Sequence, residues 1–222
     1  MFTLENPLQF LPAIVWILIN LSALIILLGA VSFTVQRKDF QNSTRVNLWL
    51  WISFVLICLW LIKGQVMDNL YFHLIGASVA YLILGAPAAL LALACATAVT
   101  AVTLRISPWV WGLQYYLAVI LPLFIIMVLH FLVHRFFPHR LFVYIFLRGF
   151  FVAAIGMALA MTINLLVIGF VFHFIPLQGN EIVWSSPILL GWGEGFLSGA
   201  AISLIATYRP EWLYRHPPFQ GM

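Results

Sequence analysis

Charge is what this chain has least of: only 7% of its 222 residues are Asp, Glu, Lys or Arg. A soluble domain of this length needs a charged surface, and so few groups do not supply one. Cysteine is almost missing. Cys58 and Cys95 lie in separate apolar segments with no Cys-x-x-Cys spacing. That excludes a disulfide framework and a cysteine zinc site, and predicts two buried spectator thiols. No Gly-x-x-x-x-Gly-Lys-[Ser/Thr] segment is present, so the chain carries no phosphate-binding loop that would let it use ATP by itself. The net charge of +4 does not point to nucleic acid. In so apolar a chain it reflects the Lys and Arg excess that orients membrane spans.

What is present is apolar sequence. Hydrophobic residues make up 64% of the chain and the mean hydropathy is +1.10. This predicts an all-α, polytopic transmembrane helical bundle, with residues 1–222 forming a single integral membrane domain in the lipid bilayer. A span needs about 20 apolar residues, and the pattern predicts about seven: 11–35, 47–62, 71–86, 88–104, 114–134, 141–174 and 187–208. The third and fourth are separated only by Gly85-Ala-Pro87. The first ten residues carry Glu5 and no Lys or Arg, so the first apolar run is expected to be retained as a span, not removed as a secretory signal.

The charges orient this count. With the N-terminus outside, the inner segments hold Arg37, Lys38, Arg45, Arg135, Arg140, Arg209 and Arg215, and the outer segments only Lys63 and Arg105. Arg148 falls inside the sixth span. The bias predicts N-out and C-in with an odd number of spans. Trp109, Trp111 and Trp184 then fall at outer boundaries and Trp49, Trp51 and Trp212 at inner ones, as aromatic anchors should.

Few polar groups remain at depth. Glu194 lies in Gly191-Trp-Gly-Glu-Gly-Phe-Leu-Ser-Gly199. An ionisable group inside a span is costly and marks a functional site by default. Gly191, Gly195 and Gly199 recur every four residues and leave one helix face bare for a neighbouring backbone. A carboxylate beside such a seam is expected to be buried in protein, where it serves either as a packing group satisfied by a neighbour or as a functional one. The topology gathers His73, Asp68, Asn69, Glu194, Asn164 and His173 in the outer half. Imidazole with carboxylate oxygens suits a divalent first-row transition metal. His73, Asp68, Glu194 and His173 are thus candidate ligands, with Asn69 and Asn164 behind them. The plainer role for His73 is an interfacial imidazole bonded to a carbonyl.

At the inner side His130, His134 and His139 adjoin Arg135 and Arg140. The first two are four apart on one helix, a metal-binding spacing, but no acid accompanies them and a basic interfacial patch facing lipid headgroups or a cytoplasmic partner fits better. Ser198, in the glycine-rich helix of Glu194, suits packing. Paired with a membrane histidine it would suit an intramembrane protease, but Gly195-Phe-Leu-Ser198-Gly199 is one residue longer than the Gly-x-Ser-Gly of rhomboid-type enzymes. His73, His130, His134 and His173 would suit a b-type haem. Arg148 is placed to snorkel or to meet a partner.

Tyr71-Phe-His-Leu-Ile-Gly-Ala-Ser-Val-Ala-Tyr-Leu-Ile-Leu-Gly-Ala86, followed by an alanine-rich span, resembles the substrate-specific membrane component of cobalt/nickel energy-coupling-factor transporters, the CbiM-like family. There a His-Pro-Thr-Gly-Thr-Gly stretch opens the equivalent helix and leads to Phe-Gly-Pro. His73, Gly76 and Gly85 match it; the Pro and both Thr do not. Gly193-Glu194-Gly195 resembles the family's Ala-Glu-Gly, and Gly112-Leu-Gln114 and Leu121-Pro122 its Gly-Ala-Asn and Gly-Pro. The ending Tyr208-Arg-Pro-Glu-Trp212 is similar to that of a divergent bacterial branch.

The resemblance implies a capture subunit of an importer in the bacterial cytoplasmic membrane. Ni2+ or Co2+ would be cargo, with no cofactor held permanently and no nucleic acid bound. A coupling membrane subunit and cytoplasmic ATPases would be its partners. Classical members of the family begin Met-His-Ile-Pro and place the terminal amine and the second-residue His in the metal site, with the His of the third span as a further ligand. This chain begins Met1-Phe-Thr-Leu-Glu5, so of the family's histidines only His73 carries over. Either the site is rebuilt with Asp68, Glu194 or His173, or the substrate differs, or the fold persists without transport.

Overall fold

The computed structural model describes residues 7–36, 42–67, 70–137, 140–172 and 181–214. In chain order, α1 spans Ala13–Val35 and α2 spans Ser43–Leu61. Strands β1 (Gly64–Met67) and β2 (Leu70–Phe72) form an antiparallel pair. A short helix, α3 (Ala77–Leu84), follows. Then come α4 (Ala86–Thr103), α5 (Pro108–Phe136), α6 (Leu141–Val171) and α7 (Glu181–Tyr208), and a 3-10 turn at Pro210–Trp212. Among the described residues, six helices are long and apolar enough to cross a membrane; α3 is the exception. The protein is an all-α membrane bundle.

The third expected span, 71–86, takes a different form. Its own helix, α3, has only 8 residues, about 12 Å of rise against a hydrocarbon core of about 30 Å. The cause is glycine at both ends. Gly76 caps α3 at φ 71° and Gly85 ends it at φ 76°, left-handed geometry that other residues adopt only with strain. Upstream, Tyr71 and Phe72 pair with Gln65 and Gly64 instead of coiling. The break expected at Gly85 is present.

The chain divides into two compact units. The first comprises Met1–Ile75 and Ala86–Leu121. Here α4 packs against α1 and α2 through Ala88, Ala92 and Ala96, all fully buried, because small side chains let helix axes approach in lipid. Trp49 Nε1 donates to Ala88 O at 3.0 Å. Asn20 pins α1 to the start of α5: its Nδ2 donates to Trp109 O at 2.8 Å and its Oδ1 accepts from Gly112 N–H at 2.9 Å. Cys58 and Cys95 are exposed, so the expectation of buried thiols is corrected. Both fall on the outward faces of their helices, where a small apolar side chain meets lipid at little cost.

The second unit comprises Gly76–Gly85 and Pro122–Met222. The glycine seam of α7 is closed against α6. A Cβ at Gly191 would stand 2.7 Å from Ala154 O, one at Gly195 2.9 Å from Ala154 Cβ, and one at Gly199 3.1 Å from Phe150 Cβ. Pro187 lies inside α7 and has no N–H for Val183 O four residues back. Ser186 Oγ donates to that carbonyl instead, at 2.6 Å. α3 is gripped at its end by the C-terminal segment: Tyr214 N–H donates to Leu82 O at 2.8 Å, and the Tyr214 ring fills the space a side chain at Gly85 would need.

Large apolar side chains point outward throughout, among them Leu18, Phe33, Phe124, Phe131, Ile188 and Leu204. In water that pattern would be an aggregation liability; in a bilayer it is the lipid-facing surface.

Candidate functional site

His73 follows β2 at the start of a four-residue stretch, 73–76, without regular structure. Only 8% of it is exposed. Its Nδ1 lies 3.0 Å from Leu74 O. A carbonyl only accepts, so Nδ1 carries the hydrogen and Nε2 keeps a lone pair, the tautomer in which an imidazole binds a metal. Burial pushes its pKa below the usual value, because a charged ring loses its hydration there. The plainer role for His73, bonding a carbonyl, therefore uses one nitrogen and leaves the ligand role open at the other.

Trp60 shapes this place. It is fully buried in the last turn of α2, its ring 4.4 Å from that of His73 at an interplanar angle of 41°. Its Nε1 donates to Ile75 O at 2.9 Å, satisfying a carbonyl in a stretch with no helix or sheet to do so. The sequence gives no sign of this pairing, since the two residues lie on different elements at no helical or strand spacing.

In the other unit, Glu194 sits midway along α7 and is 1% exposed, in line with the expectation from the seam. Its Oε1 accepts from Gly76 N–H at 2.7 Å. Gly76 is the N-cap of α3, so the carboxylate meets the partial positive charge of a helix start. Two residues on, Ser78 Oγ stands 3.5 Å from both His130 Nε2 and Arg148 O. The Tyr81 ring stacks on His130 at 5.0 Å, and the Arg148 guanidinium lies 5.4 Å from the centre of the Tyr144 ring.

Other candidates are dispersed. His130 is 1% exposed whereas His134, one turn on, is exposed, so the two do not share an environment. Asn164 is half-buried on α6. Asp68, Asn69, His139 and His173 lie outside the described residues. Among the described residues no three His, Cys, Asp or Glu side chains converge where one ion would sit. Ser198 Oγ is buried and makes no hydrogen bond within the described structure, so no histidine is bonded to it there as a protease dyad requires.

The family model described as "CbiM: Cobalt uptake substrate-specific transmembrane region" matches residues 7–212. A solved structure described as a truncated transition metal transporter resembles this chain with a TM-score of 0.70. It covers 93% of this chain and 98% of its own at 14% identity, a likeness of fold. No curated protein sequence matches.

Proposed function

The chain belongs to the CbiM family of cobalt-uptake substrate-specific transmembrane proteins, a transport family and not an enzyme family, and from that membership we propose that it captures a divalent cobalt or nickel ion for import. The observation that carries the proposal is the state of His73: buried, Nδ1 committed to Leu74 O, Nε2 left as a donor of electrons. Imidazole of this form suits both ions. One imidazole does not complete a site. Asp68 and His173 are the further ligands proposed from the sequence. Glu194, also a candidate there, already accepts a hydrogen bond from Gly76 through Oε1 and is given the supporting role of holding α3.

Energy must come from elsewhere, because the chain has no phosphate-binding loop. A coupling membrane subunit and ATPase subunits in the bacterial cytoplasmic membrane fill that need in this proposal. Arg135 and Arg140, which the Lys and Arg bias of the sequence assigns to the inner side, are a surface such a partner would meet in this proposal.

The test is metal retention. Wild-type protein and His73→Ala are purified in detergent, incubated with Ni2+ or Co2+, desalted and measured by mass spectrometry. Near-stoichiometric metal in the wild type, lost in the variant, is the expected result. No retained metal in the wild type would overturn the capture role for the isolated subunit, and equal retention in both would remove His73 as a ligand.

A further inference from the structure

We infer that Trp60 is the positioning residue of the His73 imidazole and responds directly to metal on it. The inference rests on the reading of His73 as a ligand. His73 lies on an irregular stretch, and its Nδ1 bond to Leu74 O fixes one edge of the ring but leaves rotation about that bond. The second constraint is the indole. Trp60 stands on a regular helix, has no exposed surface, and is held in its own orientation by the 2.9 Å bond from Nε1 to Ile75 O. A ring so fixed, 4.4 Å from the imidazole, sets the plane in which Nε2 can point.

The contact also favours the loaded state. An indole face is electron-rich and attracts positive charge. An imidazole that donates its Nε2 lone pair to a dication becomes more positive, so the ring contact strengthens when metal binds. A ligand's supporting group ordinarily changes metal affinity by about 10–100-fold, and Trp60 meets His73 as such a group. The open-shell ions Co2+ and Ni2+ quench indole emission at short range. Trp60 is therefore the tryptophan whose fluorescence follows occupancy of His73.

The experiment uses full-length protein in detergent: wild type, His73→Ala, Trp60→Phe, Trp60→Leu, and Trp51→Phe as control. Trp51 lies on the same helix but is 67% exposed. Affinity for Co2+, the visible spectrum of the Co2+-loaded protein and tryptophan quenching on adding Ni2+ are measured. In Trp60→Leu the affinity should fall by about tenfold or more, with a shifted Co2+ band at saturation, because the ring plane is no longer set. Trp60→Phe keeps a ring and serves if the leucine variant does not fold. It should lose the quenched component of emission and bind more weakly than wild type, while Trp51→Phe keeps both.

Wild-type affinity and an unchanged Co2+ band in both Trp60 variants would overturn the inference while leaving His73 as a ligand. Quenching that survives in Trp60→Phe would overturn the reporter role. Metal binding that is absent from the wild type, or intact in His73→Ala, would instead refute the ligand reading, and the inference falls with it.

Discussion

Glu194 and His73 are both buried polar side chains and are satisfied differently. Glu194 is bonded to the first N–H of a helix. Replacing it with Ala leaves the buried Gly76 N–H without that acceptor, which costs about 1–3 kcal/mol; Gln keeps an acceptor oxygen and should cost less. Thermal unfolding in detergent measures both, and equal loss in the two variants would contradict the capping role. Retained metal in Glu194→Gln would separate that role from a ligand role. At His73 the sign of the pH effect follows from burial. Protons compete with metal for Nε2, and burial lowers proton affinity below that of an exposed imidazole, whose pKa is about 6.5. Metal retention should therefore persist as pH falls through about 6.5, with its midpoint lower. A midpoint at or above that value would contradict the burial of the ring. Glu194 was legible in the sequence as a buried acid beside a glycine seam. Its partner was not, because hydropathy ranks segments and says nothing of which orphan N–H a carboxylate will meet.

At the scale of the element, the α6–α7 seam and α3 show what spacing can and cannot reveal. A four-residue glycine period states that one face is bare, and the packing of Gly191, Gly195 and Gly199 against α6 follows. Gly191→Ala puts a methyl 2.7 Å from Ala154 O and should destabilise by about 1–3 kcal/mol. Gly29 has nothing within 4 Å of its added Cβ. Gly29→Ala should therefore be neutral or stabilising by up to about 1 kcal/mol through helix propensity. Paired melting curves decide it; similar losses in both variants would mean that the seam is not under close contact. The stretch 71–86 misleads because its composition is that of a span, and its helix is set by two glycines and a strand pairing that no apolar count registers. α5 carries a comparable local event, a π-helical stretch at Tyr116–Ile120 just before Pro122. The widened turn accommodates a proline that would otherwise clash with the carbonyl four residues back.

For the molecule as a whole, 64% hydrophobic residues indicated a membrane bundle and the short motifs around His73, Gly76 and Glu194 its resemblance to the family, while the arrangement of ligands depends on contacts that composition does not encode. The N-out orientation predicted from the Lys and Arg bias is open to labelling. With the exposed Cys58 and Cys95 replaced, Thr44→Cys, one span after the N-terminus, should react with an impermeant maleimide only after permeabilisation; reaction in intact cells would invert the topology. In proteoliposomes without ATPase partners the chain should bind Co2+ yet accumulate none against a gradient, and uphill uptake would refute dependence on a partner. Ser186 and Pro187 add a consequence for how such a sequence drifts. Losing the proline first is harmless, since a residue with an N–H can serve Val183 O. Losing the serine first strands that carbonyl, so the two substitutions are tolerated in only one order, and a lineage that has acquired both residues leaves them by the path on which it can still fold.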